Sequence, residues 1–129
     1  MDGVTRRDPA FEAESEAYTL FTRGMAFLSD QHAAQAALLL ARALCLEPGR
    51  NSIREGLGRA EFALGHYERA AGLFESVAAE VPDSDYAHYA LGRCLLALGR
   101  KDEARGHLRL ARALNPHSAL YRDALGDPG

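Results

Sequence analysis

Between Ile53 and Pro82 the apolar residues fall into two stripes of helical spacing. Ile53, Leu57, Ala60 and Leu64 recur every three or four residues and Gly65 interrupts them. Ala70, Phe74, Val77 and Val81 then form a second stripe that stops at Pro82. Such spacing collects apolar side chains on one helix face, and glycine and proline end the runs, so helix, tight turn, helix is predicted. The same punctuation returns after 34 residues: Gly58 and Gly92, Ala70 and Ala104, Pro82 and Pro116 are each separated by that interval. It also extends back to Gly24, Ala36 and Pro48, and forward to Gly126. Three units are therefore expected, at 17–50, 51–84 and 85–118, with a fourth begun after them. A helix pair of this size cannot bury its apolar face alone. A fixed period thus predicts an all-α fold made by stacking, an α-solenoid with one continuous core.

Gly58 and Gly92 fall inside first helices, where glycine costs about 1 kcal/mol relative to alanine, so close approach of the partner helix is the expected reason. The alanines at 36, 70 and 104 answer from the second helices. Gly65 and Gly99 suit a left-handed residue after a helix, and each proline stops a second helix. In the first unit Gln31 stands where the turn glycine is expected. At the ends, Asp8 before Pro9 reads as a cap, predicting an opening helix from about Pro9 to about Ser29 after a flexible segment, 1–8. Residues 9–126 are then one domain. Ser118 is expected to cap a short closing helix within 119–126, with 127–129 as a tail. An incomplete cap leaves an edge open to weak self-association.

Composition narrows the function. With 47% hydrophobic residues among 129, and 15 basic against 18 acidic residues for a net charge of −3, the chain can bury a core and has no overall charge suited to a polyanion. Nucleic acid is not an expected partner. The first twenty residues lack the apolar run of a signal peptide and no stretch is long and apolar enough to span a membrane. Cys45 and Cys94 stand alone, so reduced thiols in a cytoplasmic protein are expected. None of the five histidines pairs with another at metal-ligand spacing, and His32 and His66 read as equivalent turn positions. No nucleophile, phosphate-loop or dinucleotide motif occurs, and Asp83 and Asp85 read as capping residues around Ser84. Neither an enzyme nor a cofactor is expected. Arg105, Arg109 and Arg112 share one helix face, but the equivalents one unit earlier are Ala71, Glu75 and Ala78, so they form no continuous basic track.

Leu57, Gly58, Ala70, Phe74 and Pro82 in one unit, with Leu91, Gly92, Ala104, Leu108, Ala111 and Pro116 in the next, resemble the tetratricopeptide repeat. The resemblance covers about residues 17–126. It implies a right-handed superhelix whose first helices line a concave, peptide-binding groove. Leu20, Arg54 and His88 stand where the family usually has an early aromatic residue. Members that clamp the C-terminal carboxylate of chaperones use Lys and Asn in the first unit, Asn in the second, and Lys and Arg in the third. Here those positions hold Phe21 and Met25, Gly56, and Tyr86 and Ala90, so a heat-shock co-chaperone of that type is not expected.

The side of the first helices not committed to their partners carries Tyr18, Phe21, Met25 and Leu28, then Ser52, Glu55, Arg59 and Phe62, then Tyr86, Tyr89, Arg93 and Leu96. Aromatic residues, Met and Arg are enriched at protein interfaces. Packing between units accounts equally well for Leu28, Phe62 and Leu96, and Glu55 is placed to neutralise Arg59. Tyr86, Tyr89 and Arg93 are the strongest groove candidates, and truncation of Tyr89 is expected to spare the fold. The expected function is a non-catalytic adaptor that captures an apolar, partly acidic segment of another protein. A small chaperone of a secreted client and a self-assembling scaffold are the alternatives.

Overall fold

The computed structural model of the chain describes residues 15–126. Among the described residues seven helices follow one another: α1 Glu16–Ser29, α2 Ala33–Leu46, α3 Asn51–Ala63, α4 Tyr67–Glu80, α5 Asp85–Ala97, α6 Lys101–Leu114 and α7 Ala119–Ala124. The starts and ends of α2, α4 and α6 repeat at the interval of 34. The expected cap at Asp8 and Pro9 lies outside the described residues. α1 takes its cap from Ser15, whose hydroxyl accepts from the Tyr18 amide at 2.9 Å.

Each turn within a pair closes in the same way. The amides of His32, His66 and Arg100 donate to the carbonyls of Phe27, Glu61 and Leu95 at 2.8, 2.9 and 2.9 Å. This closure needs a left-handed residue just before the donor, supplied by Gly65 (φ 82°), Gly99 (φ 81°) and, in the first unit, Gln31 (φ 66°). The missing glycine therefore leaves the turn unchanged and places its strain on Gln31.

Helices pack in order, each on its predecessor. Within pairs, Gly24 faces Leu40, Gly58 faces Phe74 and Gly92 faces Leu108. Ala36, Ala70 and Ala104 are fully buried. Between pairs, Ala71 and Phe74 of α4 join Ala90, Leu91, Cys94 and Leu95 of α5 in one cluster. Burial pushes the Cys94 thiol up to about 11, opposed by the charge of Arg93.

Two of the positions that replace the early aromatic, Arg54 and His88, share a task with Arg122, which follows His88 by one interval, while Leu20 packs in the core. Arg54 and Arg122 donate to the carbonyls of Pro48 and Pro116 at 2.9 and 3.2 Å, and His88 Nε2 lies 2.8 Å from the carbonyl of Pro82. Each side chain thus ties its helix to the turn that precedes it. At the end of the stack, Tyr121 of α7 donates its hydroxyl to Asp85 of α5 at 3.0 Å, and Ser118 caps α7. Among the described residues no helix is long and apolar enough to cross a membrane.

Candidate functional site

Stacking the second pair on the third leaves a hollow of about 250 Å³ between α3 and α5. Arg59 and Phe62 enter it from α3, and Tyr86, Tyr89, Ala90 and Arg93 from α5. Leu28 closes it from α1, and the ring of Phe74 reaches it from α4. Helical geometry explains the grouping: residues three and four apart share a face, and both helices turn that face to the same side.

Aromatic rings form the walls. Phe74 meets Tyr86 edge to face at 6.1 Å, and Tyr86 lies 6.2 Å from Tyr89. The guanidinium of Arg93 sits over the Phe62 ring at 4.6 Å and lies 5.9 Å from the Tyr89 ring. Arg59 and Arg93 are both exposed, and among the described residues neither forms an ion pair. Glu55 therefore does not close on Arg59, although the arginine's charge partly offsets the burial that raises the Glu55 carboxyl. Burial also raises the Tyr86 phenol, with Arg59 and Arg93 opposing. An apolar hollow with two available guanidiniums at its mouth can seat one hydrophobic side chain and meet a neighbouring carboxylate.

The structure thus gathers Arg59, Phe62, Tyr86, Tyr89 and Arg93 around one hollow, with Glu55 one turn from Arg59. The remaining candidates lie elsewhere. Phe21 packs on the core beneath α1, and Met25 sits with its sulfur over Gly56, where a Cβ would come within 2.8 Å. Tyr18 stands at the start of α1, outside the hollow. Leu96, 43% exposed, belongs to a different recess beside α7. Tyr89 needs a correction. It is only 8% exposed and packs with Leu108, Ala111 and Tyr121, so its truncation would open the core between the third pair and α7.

Phe74 was not expected in the hollow, because its spacing assigns it to the core, nor was Ala90, which in the sequence marks only a position where the clamp residues are replaced. Phe74 serves both, since its ring lies against Gly58 and its edge meets Tyr86. Sequence spacing also gave no sign of the pair formed by His88 and His107, which stack at 5.3 Å with their Nδ1 atoms 3.1 Å apart. His66 does more than decorate a turn: its Nδ1 lies 2.6 Å from buried Glu61, which Arg69 also approaches at 3.4 Å. Among the described residues no three His, Cys, Asp or Glu side chains gather at a metal-binding distance.

Comparison with known proteins agrees with this architecture. Two tetratricopeptide repeat family models match, one over residues 21–85 and the other over residues 61–127. No curated protein sequence matches the chain. Among solved structures, the first repeat domain of Spaghetti (RPAP3), bound to the HSP90 peptide SRMEEVD, aligns with a TM-score of 0.81 at 17% identity, over 86% of this chain and 88% of that one. The Sgt2 repeat domain of Aspergillus fumigatus aligns with a TM-score of 0.81 at 20% identity, over 94% and 80%. MamA of Desulfovibrio magneticus, solved from its residue 41 to the end, aligns with a TM-score of 0.83 at 21% identity over 88% of this chain, which spans only 64% of that solved chain. At these identities the structures share the fold, while the two sequence models each span half of the chain or more: the chain belongs to the tetratricopeptide repeat family.

Proposed function

We propose that the chain is a non-catalytic interaction module of the cytoplasm that captures a segment of a partner protein in the hollow between α3 and α5. The observation that carries this reading is Arg93, its guanidinium carbon 4.6 Å from the Phe62 ring centre at the mouth of an aromatic hollow and, among the described residues, unpaired with any carboxylate. A guanidinium resting on a ring is an exposed cation with part of its freedom already lost, suited to an anion, while the half-buried rings of Phe62 and Tyr86 offer an apolar seat beside it. The segment that fits has one aliphatic or aromatic residue close to an Asp or Glu.

That a domain of this fold is bound to a peptide in the Spaghetti structure supports peptide capture as the mode. The different residues here, with Phe21, Met25, Gly56, Tyr86 and Ala90 in place of the polar carboxylate clamp, support a different ligand. The size of the hollow, room for about one side chain, favours an adaptor reading one short motif over a chaperone sheltering a long apolar stretch.

Selection from a displayed peptide library tests the proposal. Enriched sequences are expected to combine an apolar residue with a nearby carboxylate, and Arg59→Glu with Arg93→Glu should weaken them by about tenfold or more. Both arginines are exposed, so circular dichroism should not change. Enrichment of basic sequences, or undiminished binding by the double variant, would remove the reading.

A further inference from the structure

The strip of α6 that carries Arg105, Arg109 and Arg112 differs from its counterparts in the earlier units. The equivalent residues are Ala37, Ala41 and Leu44 in α2 and Ala71, Glu75 and Ala78 in α4. Ala71 is 7% exposed and shares a cluster with Leu91 and Leu95 of α5, so the first position of this strip lies under the helix that follows, while Ala41 and Glu75 at its second position are exposed. Arg105 is exposed instead, next to Arg109, which is exposed like its counterparts. The cause is the length of α7, which has 6 residues where α3 and α5 have 13.

Two adjoining recesses result. One, of about 90 Å³, has an apolar floor of Leu96, Leu108, Ala124 and Leu125 with Lys101 and Arg105 at its side. The other, of about 610 Å³, runs on past Arg105 and Leu125 along Arg109 and Arg112 to Pro116. Among the described residues Lys101, Arg105 and Arg109 form no ion pair; Asp102 does not close on Arg105, and Glu103 is held by Arg100 at 2.7 Å. Solubility of an exposed end is best served by charges of mixed sign, whereas cations four residues apart repel one another. A row of cations beside an apolar floor is complementary to a surface with the opposite charges and its own apolar stripe.

We infer that this notch is a second docking site, separate from the concave hollow, and that its occupant is an acidic amphipathic helix of a partner protein. The helix would lay its apolar stripe along Leu96, Ala124 and Leu125, continuing the cover that α7 begins, and set its carboxylates against Lys101, Arg105 and Arg109. Nucleic acid fits less well. The cationic strip is confined to one helix, since Ala71, Glu75 and Ala78 interrupt it in the preceding unit, and its floor is apolar.

The test is fluorescence anisotropy on the full chain. The probe is a labelled peptide of about 16 residues with leucine at i, i+3, i+4 and i+7 and glutamate elsewhere, and its twin carries lysine for glutamate. The acidic peptide should bind saturably and more weakly as salt rises from about 0.05 to about 0.5 M, and the basic twin should not bind. Arg105→Glu with Arg109→Glu should weaken binding by about tenfold or more, the corresponding Gln pair by less, and Arg59→Glu with Arg93→Glu not at all. Equal binding of the two peptides, loss of binding only in the Arg59/Arg93 variant, or displacement by a DNA duplex would overturn the inference. So would a dimer in sedimentation that the acidic peptide dissolves, because the notch would then belong to a second copy of the chain.

Discussion

The ring of Phe74 fills the place that a side chain on Gly58 would take: a Cβ there would stand 2.8 Å from both Cε2 and Cζ. Phe74 is 1% exposed and cannot retreat without moving the cluster it shares with α5. Gly58→Ala is therefore expected to destabilise the chain by about 1–2 kcal/mol, the overpacking cost outweighing the helix propensity that alanine gains. Gly72 lies in α4 with nothing within 4 Å of an added Cβ, so Gly72→Ala should instead stabilise by about 0.5–1 kcal/mol. Urea unfolding of the two variants checks the opposite signs. Equal shifts would mean that the glycines inside first helices are not there for packing.

Gln31 occupies the turn position that glycine holds in the other two units, at φ 66° against 82° and 81°. A residue with a Cβ is strained there by about 1 kcal/mol. Its side chain is exposed, so nothing in the core depends on it. Gln31→Gly should raise stability by about 0.5 kcal/mol after the entropy glycine adds to the unfolded chain, whereas Gly99→Ala should lower it by about 1 kcal/mol. Thermal melts of both variants give the comparison.

How far the sequence disclosed the molecule depends on what each residue answers to. Gly24, Gly58 and Gly92, with Pro48, Pro82 and Pro116, mark backbone geometry that every unit must repeat, so a fixed interval reveals them. Contacts that differ from unit to unit leave no such trace. His88 reaches Pro82 through its ring where Arg54 reaches Pro48 through a guanidinium, and only the folded turn shows that the two do the same work. Exposure is likewise decided between helices. Tyr89 and Arg93 lie on one face of α5, yet Tyr121 arrives from α7 to bury the tyrosine and leaves the arginine in water.

Tyr121 also holds the end of the stack through its hydroxyl, which donates to Asp85 at 3.0 Å beside the amide of Asn115 at 3.2 Å. Burial and then the carboxylate push the Tyr121 phenol up to about 12, so the bond persists across the neutral range. Tyr121→Phe keeps the ring contact with Tyr89 and removes only the bond, at a cost of about 1 kcal/mol. Because each unit touches only its neighbours, the loss should fall on α7 and α5. Hydrogen exchange is expected to accelerate there while the α1 and α2 amides keep their protection. A uniform acceleration along the chain would show instead that the stack opens as a single unit.

The pair of His88 and His107 predicts a pH dependence of definite sign. The Pro82 carbonyl only accepts, so His88 carries its proton on Nε2 and its Nδ1 accepts from His107. Burial, followed by the neighbouring His88, lowers the pKa of His107, while Glu103 and Glu75 oppose the shift without cancelling it. The unfolded chain therefore takes up this proton at a higher pH than the folded one, near the ordinary histidine value of about 6.5. Stability from this site is complete above that value and declines as pH falls toward the lower folded pKa. Leu39 and Leu73 occupy the same position in the other units, so His107→Leu suits the local packing. Urea midpoints measured from about pH 7.5 to about pH 5 should fall more for the wild type than for this variant, the gap widening below about pH 6.5. Parallel curves would show that His107 is equally protonated in both states and that the stacked pair carries no proton linkage.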